Sequence, residues 1–366
     1  MTKLLPRILM LLTVAMALLG GMGAGLARLG VPMDAMSQGW IMVHGPLMIS
    51  GFLGTLICLE RAVALASRYK WSLMVPAVNA IGAVLVLISR DAAIARLFLT
   101  AGSLGLVILF GLMIRLHPSR DVLMMALGAV SWLVGNVLWL AGLPINQVVH
   151  LWTAFLILTI VGERLELSRV RRLTHLAENL LTGAVIVYLA GVALTIVNLE
   201  WGVRLLGIGA IAMALWLLKY DIASRTIRQQ GLPRFIAACL LAGYVWLGFG
   251  GLLALWHGAI YAGPDYAGVL HAFLLGFVFS MIFGHAPIIL PALTGLKMTY
   301  TPLFYIHFAL LHVTLIYREY GNLVGGFEVR QQGAILNVTS VLIFLGLTIF
   351  VVVRSNRVSP GEAAIA

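Results

Sequence analysis

The chain has 366 residues, 61% of them hydrophobic and only 10% charged, with a formal net charge of +11. A soluble globular domain carries about 25% charged residues, so that class is excluded, and the basic residues fall between apolar runs rather than on one face, which excludes a nucleic-acid-binding module. Cys58 and Cys239 lie far apart inside apolar runs and in no CxxC pair, which excludes a covalent haem-attachment motif and a thiol redox pair and argues against a disulfide.

Apolar runs of about 20 residues, each long enough to cross a bilayer, recur from end to end. They predict helices near residues 8–28, 39–60, 71–89, 93–115, 121–142, 146–165, 178–198, 201–220, 234–257, 265–289, 300–318 and 333–353. The first run has a basic flank at Lys3 and Arg7 and a small-residue end, as a signal peptide does. Its length and the charge pattern identify it instead as the first span. With the N-terminus inside, only Arg28, Arg90, Arg96, Arg204, Arg318 and Arg330 of the 24 Lys and Arg fall outside. That bias follows the positive-inside rule and predicts both termini in the cytoplasm. Trp40, Trp139, Trp152, Trp201 and Trp256 fall at the outer boundary, and Trp71 and Trp216 at the inner one, as expected for aromatic belts. The expected fold is an all-α membrane protein of about twelve spans, one polytopic domain over residues 1–366.

The second, sixth and tenth helices share a pattern. Each has a histidine near its outer end (His44, His150, His271), in roughly the outer third of the bilayer. Each has a polar residue near its inner end: Glu60–Arg61, Glu163–Arg164 and His285. The pattern recurs every four helices and predicts three pseudo-repeats, about 1–118, 119–232 and 233–366. His312 on the eleventh helix reaches a similar depth, and His257 ends the ninth at the outer surface. Polar groups inside a bilayer are expensive and mark function by default, and imidazole binds haem iron and copper. His44, His150, His271, His312 and His257 are therefore the candidate metal ligands, with Met48, one turn below His44, as an alternative axial ligand. His307 and His312 point roughly 140° apart around their helix and cannot readily share a metal. His271 and His285 lie about 21 Å apart along theirs and serve different sites.

The segment His44-Gly45-Pro46-Leu47-Met48 is similar to the His-Gly-x-x-Met of the haem-copper oxidase second helix. The segment from His271-Ala272 through Gly276 and Met281 to Gly284-His285 resembles the pattern of NnrS-like membrane proteins of nitric oxide metabolism. The resemblance covers the topology of nearly the whole chain and the motifs of two or three helices. It implies a twelve-helix bundle of three four-helix arcs and a b-type haem held by His44 and His271. It further implies a copper site at the sixth-helix histidine, His150; read from the residues, His150 is a candidate copper or second haem ligand with His312 or His257 as partner, and nitric oxide is the candidate small-gas ligand. Electrons would come from a cytochrome, quinone or other redox subunit. The chain departs from oxidases in lacking the histidine pair on the seventh helix, the His-x-His on the tenth, and a tyrosine at Ala154. A complete oxygen-reducing centre is therefore not expected, and an oxidoreductase role stays open.

The competing reading of each residue is structural. Met48 is a packing residue. Glu60–Arg61 and Glu163–Arg164 are interfacial charges whose arginines snorkel to headgroups, the alternative being proton delivery or contact with haem propionates. His285, beside Pro287 and Pro291, partners a carbonyl freed at an interrupted helix end. His117 and His175 are solvated, and Asn136 is interhelical glue. The competing functions are a secondary transporter, whose spans usually form two halves of six, and a cofactor-free assembly subunit. The expected location is a bacterial inner membrane, with the lipid bilayer as the obligatory partner.

Overall fold

The computed structural model describes residues 5–32, 38–89, 92–168, 171 and 173–357; Lys3, Arg90, Arg169 and Arg172 of the charge count lie outside them. Among the described residues every regular element is helical. Eleven helices are long and apolar enough to cross a membrane: α1 Leu5–Arg28, α2 Gly39–Leu65, α3 Lys70–Ser89, α4 Ala93–Leu116, α5 Arg120–Leu140, α6 Ile145–Ser168, α7 His175–Leu194, α8 Leu199–Tyr220, α9 Leu232–His257, α10 Pro264–Thr294 and, last in the chain, Phe327–Asn356. Between the last two lies α11, Phe304–Leu323, which makes the final helix α12. At 20 residues α11 matches the others in length, but His307, His312, Arg318, Glu319 and Asn322 lower its apolarity. The protein is an integral membrane protein with a helix at every predicted place. With no water in the hydrocarbon, every backbone group must be satisfied within the chain, and helices do this segment by segment.

Local chemistry sets the ends. The Thr174 side chain accepts from Ala177 N at 3.2 Å to start α7, and Asn198 accepts from Trp201 N at 3.1 Å to start α8. Such caps satisfy amides that the first turn leaves unpaired. Asn198 was expected inside the seventh helix, which ends at Leu194 because the cap diverts the chain into α8. Pro264 opens α10, and Gly295, at φ +73°, closes it in the left-handed region open to glycine. The helix runs unbroken through Pro287 and Pro291 to Thr294. This corrects the expectation of an interrupted end there. His285 Nδ1–H donates to Met281 O at 2.7 Å, an ordinary carbonyl one turn back rather than one freed by a proline.

Each helix packs against its neighbours in sequence, and α12 returns to α1, so the chain closes a ring. Helices α2, α6 and α10 also touch one another. They are the most enclosed, with 61%, 78% and 67% of their central apolar stretch buried, against 33% for α4 and α12. The two cysteines are free and buried.

Close approaches depend on small residues, as is common between membrane helices. A Cβ at Gly191 of α7 would collide with the Leu206 backbone of α8, and one at Gly209 of α8 with the Tyr188 backbone of α7. Because the obstacle is backbone, it cannot rotate aside. Gly191→Ala is expected to separate α7 from α8 and lower stability by at least about 1–3 kcal/mol. The readout is the melting temperature in detergent, and an unchanged value would refute the close packing.

Three of the expected belt tryptophans lie inside the bundle. Trp139 packs edge-on to Trp152, with ring centroids 5.4 Å apart, and Trp216 donates to Ala177 O at 2.7 Å. Trp71, Trp201 and Trp256 are exposed. Asn136 bridges α5 to α4 through Leu99 O at 3.3 Å and contacts Ser50 of α2, the interhelical role expected of it.

Candidate functional site

The site begins with two histidines on the central helices. His44 precedes a segment of wide, π-type turns in α2, Leu47–Gly54, and His271 precedes another in α10, Ala272–Val278. Such turns are rare and concentrate at functional sites. In α2 they follow Pro46, which has no N–H to donate. Within the segment Ser50 O is also met from α3: the buried Asn79 donates to it at 2.8 Å and to Thr55 Oγ1 at 2.9 Å.

The two imidazoles face each other, with ring centroids 6.3 Å apart and planes 21° from parallel. Each ring is held at Nδ1. His44 donates to Gly21 O at 2.7 Å and His271 to Ala267 O at 2.6 Å. A carbonyl can only accept, so both rings carry the proton on Nδ1, and the lone pair sits on Nε2. A second bond that fixes tautomer and orientation is the usual support of a metal-bound histidine. Helix α1 comes close enough because of its glycines. A Cβ at Gly25 would lie 2.9 Å from His44 Nδ1, and one at Gly21 would lie 2.7 Å from Met48 Sδ. Met48 therefore packs on α1 while lining the same cavity.

That cavity, about 350 Å³, opens between α1, α2, α6, α10, α11 and α12. Its lining is mostly apolar, including Met22, Val149, Leu274, Phe279 and Val341, but Arg28, Arg318, Asn322 and Arg330 also line it. Arg318 is 8% exposed, and among the described residues its guanidinium has neither a hydrogen-bond nor an ion-pair partner. These arginines were counted as loop charges. Arg318 instead lies within α11, and Arg330 within α12 with its guanidinium over the Phe327 ring at 5.5 Å.

The other candidates are dispersed. His150 is buried on α6 with Nε2 unpartnered; its neighbour Val149 lines the cavity and it does not. His312 accepts from Trp246 Nε1 at 2.9 Å and lies 15° from parallel to that indole. His307 sits among Phe235, Phe283, Phe304 and Phe344 with both ring nitrogens unpartnered. His257 pairs with Asp265 at 3.9 Å. His117 and His175 are exposed. Among the described residues no three His, Cys, Asp or Glu side chains converge as a metal site.

At the opposite end of the bundle the arginines do not snorkel outward. Arg61 pairs with Glu163 across α2 and α6 and with Glu60 at 3.4 Å. Arg164 pairs with Asp221 at 3.6 Å, both fully enclosed. Carboxylates at the same depth on neighbouring helices offer a partner nearer than the headgroups, which corrects the expectation of interfacial arginines. Asp221, Asn79, Gly21, Gly25 and Glu319 were not singled out from the sequence. The one visible hint was the glycine cluster Gly20-Gly21-Met22-Gly23-Ala24-Gly25.

Fold and site together define a polytopic helical membrane protein with a paired-histidine cavity. The chain belongs to the family described as a domain of unknown function, DUF8744, whose model matches residues 7–353. No curated protein matches it.

Proposed function

We propose that this chain is a twelve-span inner-membrane protein that holds one b-type haem between His44 and His271 and serves respiratory or nitric-oxide-linked electron transfer. The observation that carries this reading is the facing imidazole pair across the cavity, each ring fixed at Nδ1. An imidazole nitrogen binds a transition metal at about 2.0–2.1 Å. Two rings meeting one metal end-on then have centres roughly 6 Å apart and can lie parallel, and the observed pair has that spacing, 6.3 Å, and a tilt of 21°. Two histidines alone leave a tetragonal Cu(II) ion short of ligands. A tetrapyrrole brings four nitrogens of its own and needs only the two axial ones.

A bound haem would supply a reversible one-electron couple. His44 and His271 would hold it through their Nε2 lone pairs, while Gly21 O and Ala267 O hold the rings in that tautomer. Leu274, Phe279 and Val341 keep water from the couple. Arg28, Arg318 and Arg330 give the cavity positive charge complementary to a ring bearing carboxylates. Orientation with both termini cytoplasmic puts this cavity toward the outer face, where a cytochrome, quinone or other redox subunit would deliver electrons. His150 and His312 remain the residues for copper or nitric oxide, without a shared cavity to support them.

The test is a reduced-minus-oxidised visible spectrum of detergent-purified protein, with iron and copper counted on the same sample. Sharp b-type bands with about one iron per chain are expected, as two axial ligands serve one haem. A colourless, metal-free preparation grown with ample haem and copper would sink the proposal and favour a secondary transporter or an assembly subunit.

A further inference from the structure

Glu319 is a carboxylate inside α11 that the haem reading leaves without a role. It is 5% exposed. Its Oε2 accepts from Asn322 Nδ2 at 3.0 Å, while its Oε1 is buried with no partner. The carboxylate lies over α10 at Gly268, where a Cβ would meet Oε2 at 2.8 Å. Gly268 is one turn before His271 and follows Ala267, whose carbonyl holds the His271 ring. Asn322 itself lines the cavity. A hydrogen bond thus joins the cavity-lining Asn322 to an acid that, among the described residues, lacks the second bond a buried carboxylate needs.

We propose that Glu319 is the proton-holding group coupled to electron transfer at the His44–His271 site; this rests on the haem reading above. The oxidised and reduced states of a one-electron centre differ by one positive charge. When an external one-electron donor reduces the site, that charge is lost and Glu319 takes one proton from the aqueous phase. When the electron leaves, the carboxyl releases the proton and its charge balances the oxidised centre. At a separation on the order of 10 Å and an effective dielectric constant of about 20, one charge changes a proton affinity roughly tenfold. The titratable and charged groups around this network are Glu319 itself and the cavity-lining Arg28 on α1, His44 on α2, Tyr266 and His271 on α10, Arg318 on α11 and Arg330 on α12. Among these, Glu319 alone is an enclosed acid with an unpaired oxygen.

The test is a mediator-poised redox titration of the haem-loaded protein, read in the visible spectrum at several pH values between about 6 and 9, the range in which histidine and shifted carboxyl groups titrate. In the wild type the reduced-to-oxidised ratio at fixed potential is expected to fall with rising pH by about tenfold in all across the titration, or about 59 mV for one electron. Glu319→Gln, which keeps an acceptor for Asn322, is expected to retain the spectrum and lose most of that slope. As a check independent of any variant, the wild-type reduced-minus-oxidised infrared spectrum should contain a carboxyl C=O band that shifts in D2O. A flat wild-type titration, an undiminished slope in Glu319→Gln, or an infrared spectrum without that band overturns the assignment while leaving the haem reading intact. Absence of haem bands overturns both.

Discussion

His44→Ala and His271→Ala proteins are each expected to lose haem at least about tenfold relative to wild type, by iron per chain and by visible spectrum. The effect should be large because the rings are the two halves of one site. Each is held by one backbone carbonyl and has one nitrogen left for the cofactor, and no third protein ligand converges to compensate among the described residues. Disturbing even the supports of a metal ligand commonly costs about 10–100-fold in affinity, and removing the ligand should cost no less. His150→Ala and His312→Ala are expected to keep full haem content, because neither lines the cavity. Full haem in both the His44 and His271 variants would end the paired-ligand assignment. Loss in the His150 variant with retention in the other two would move the site to α6.

The second large effect is expected at the other end of the bundle. Asp221 has no exposed side-chain surface and faces Arg164, whose side chain is 3% exposed. Asp221 Oδ1 also accepts from Ala223 N at 2.7 Å, and Oδ2 from Ser168 at 3.3 Å. Asp221→Ala strands a buried guanidinium and an amide together. Breaking such a pair from one side costs about 3–5 kcal/mol. The melting temperature in detergent should drop clearly for Asp221→Ala and recover in Arg164→Met/Asp221→Asn, which removes both charges and keeps the acceptor for Ala223. If the single variant melts like wild type, the pair is not the enclosed bridge described above.

The helix positions were legible because a bilayer imposes one length on every span, and Pro, Gly and clustered arginines interrupt the apolar runs between them. That His44 and His271 stand near the same end of the bundle was legible for the same reason. Helix register gives height along the membrane normal, and both histidines come early in helices that run the same way. The pairing of those two histidines was expected only through the resemblance to the oxidase bundle. The distance between their rings and the fixed tautomers came from the packing of α1 and α10.

The errors share one cause. Arg61, Arg164 and Arg318 were assigned to headgroups or loops, and Trp139, Trp152 and Trp216 to belts, because each lies near a helix end. Their true surroundings depend on which way the helix faces, and that is decided by neighbours distant in sequence. Arg61 turns inward because Glu163 stands opposite it, and Trp216 because the Ala177 carbonyl is within reach. Glu319 was not singled out from the sequence, yet Gly268 of α10 lies against its carboxylate.

The amino-acid sequence by itself determined that this is a membrane protein and where along the chain its helices lie, since these follow from one-dimensional patterns of hydropathy and charge. Only the tertiary structure decided the azimuth of each side chain. It brought two of the nine histidines into one cavity with three arginines and set the rest apart. The rotation of a helix about its axis is fixed by contacts with helices far along the chain, and a periodic pattern buried on most sides carries no record of it.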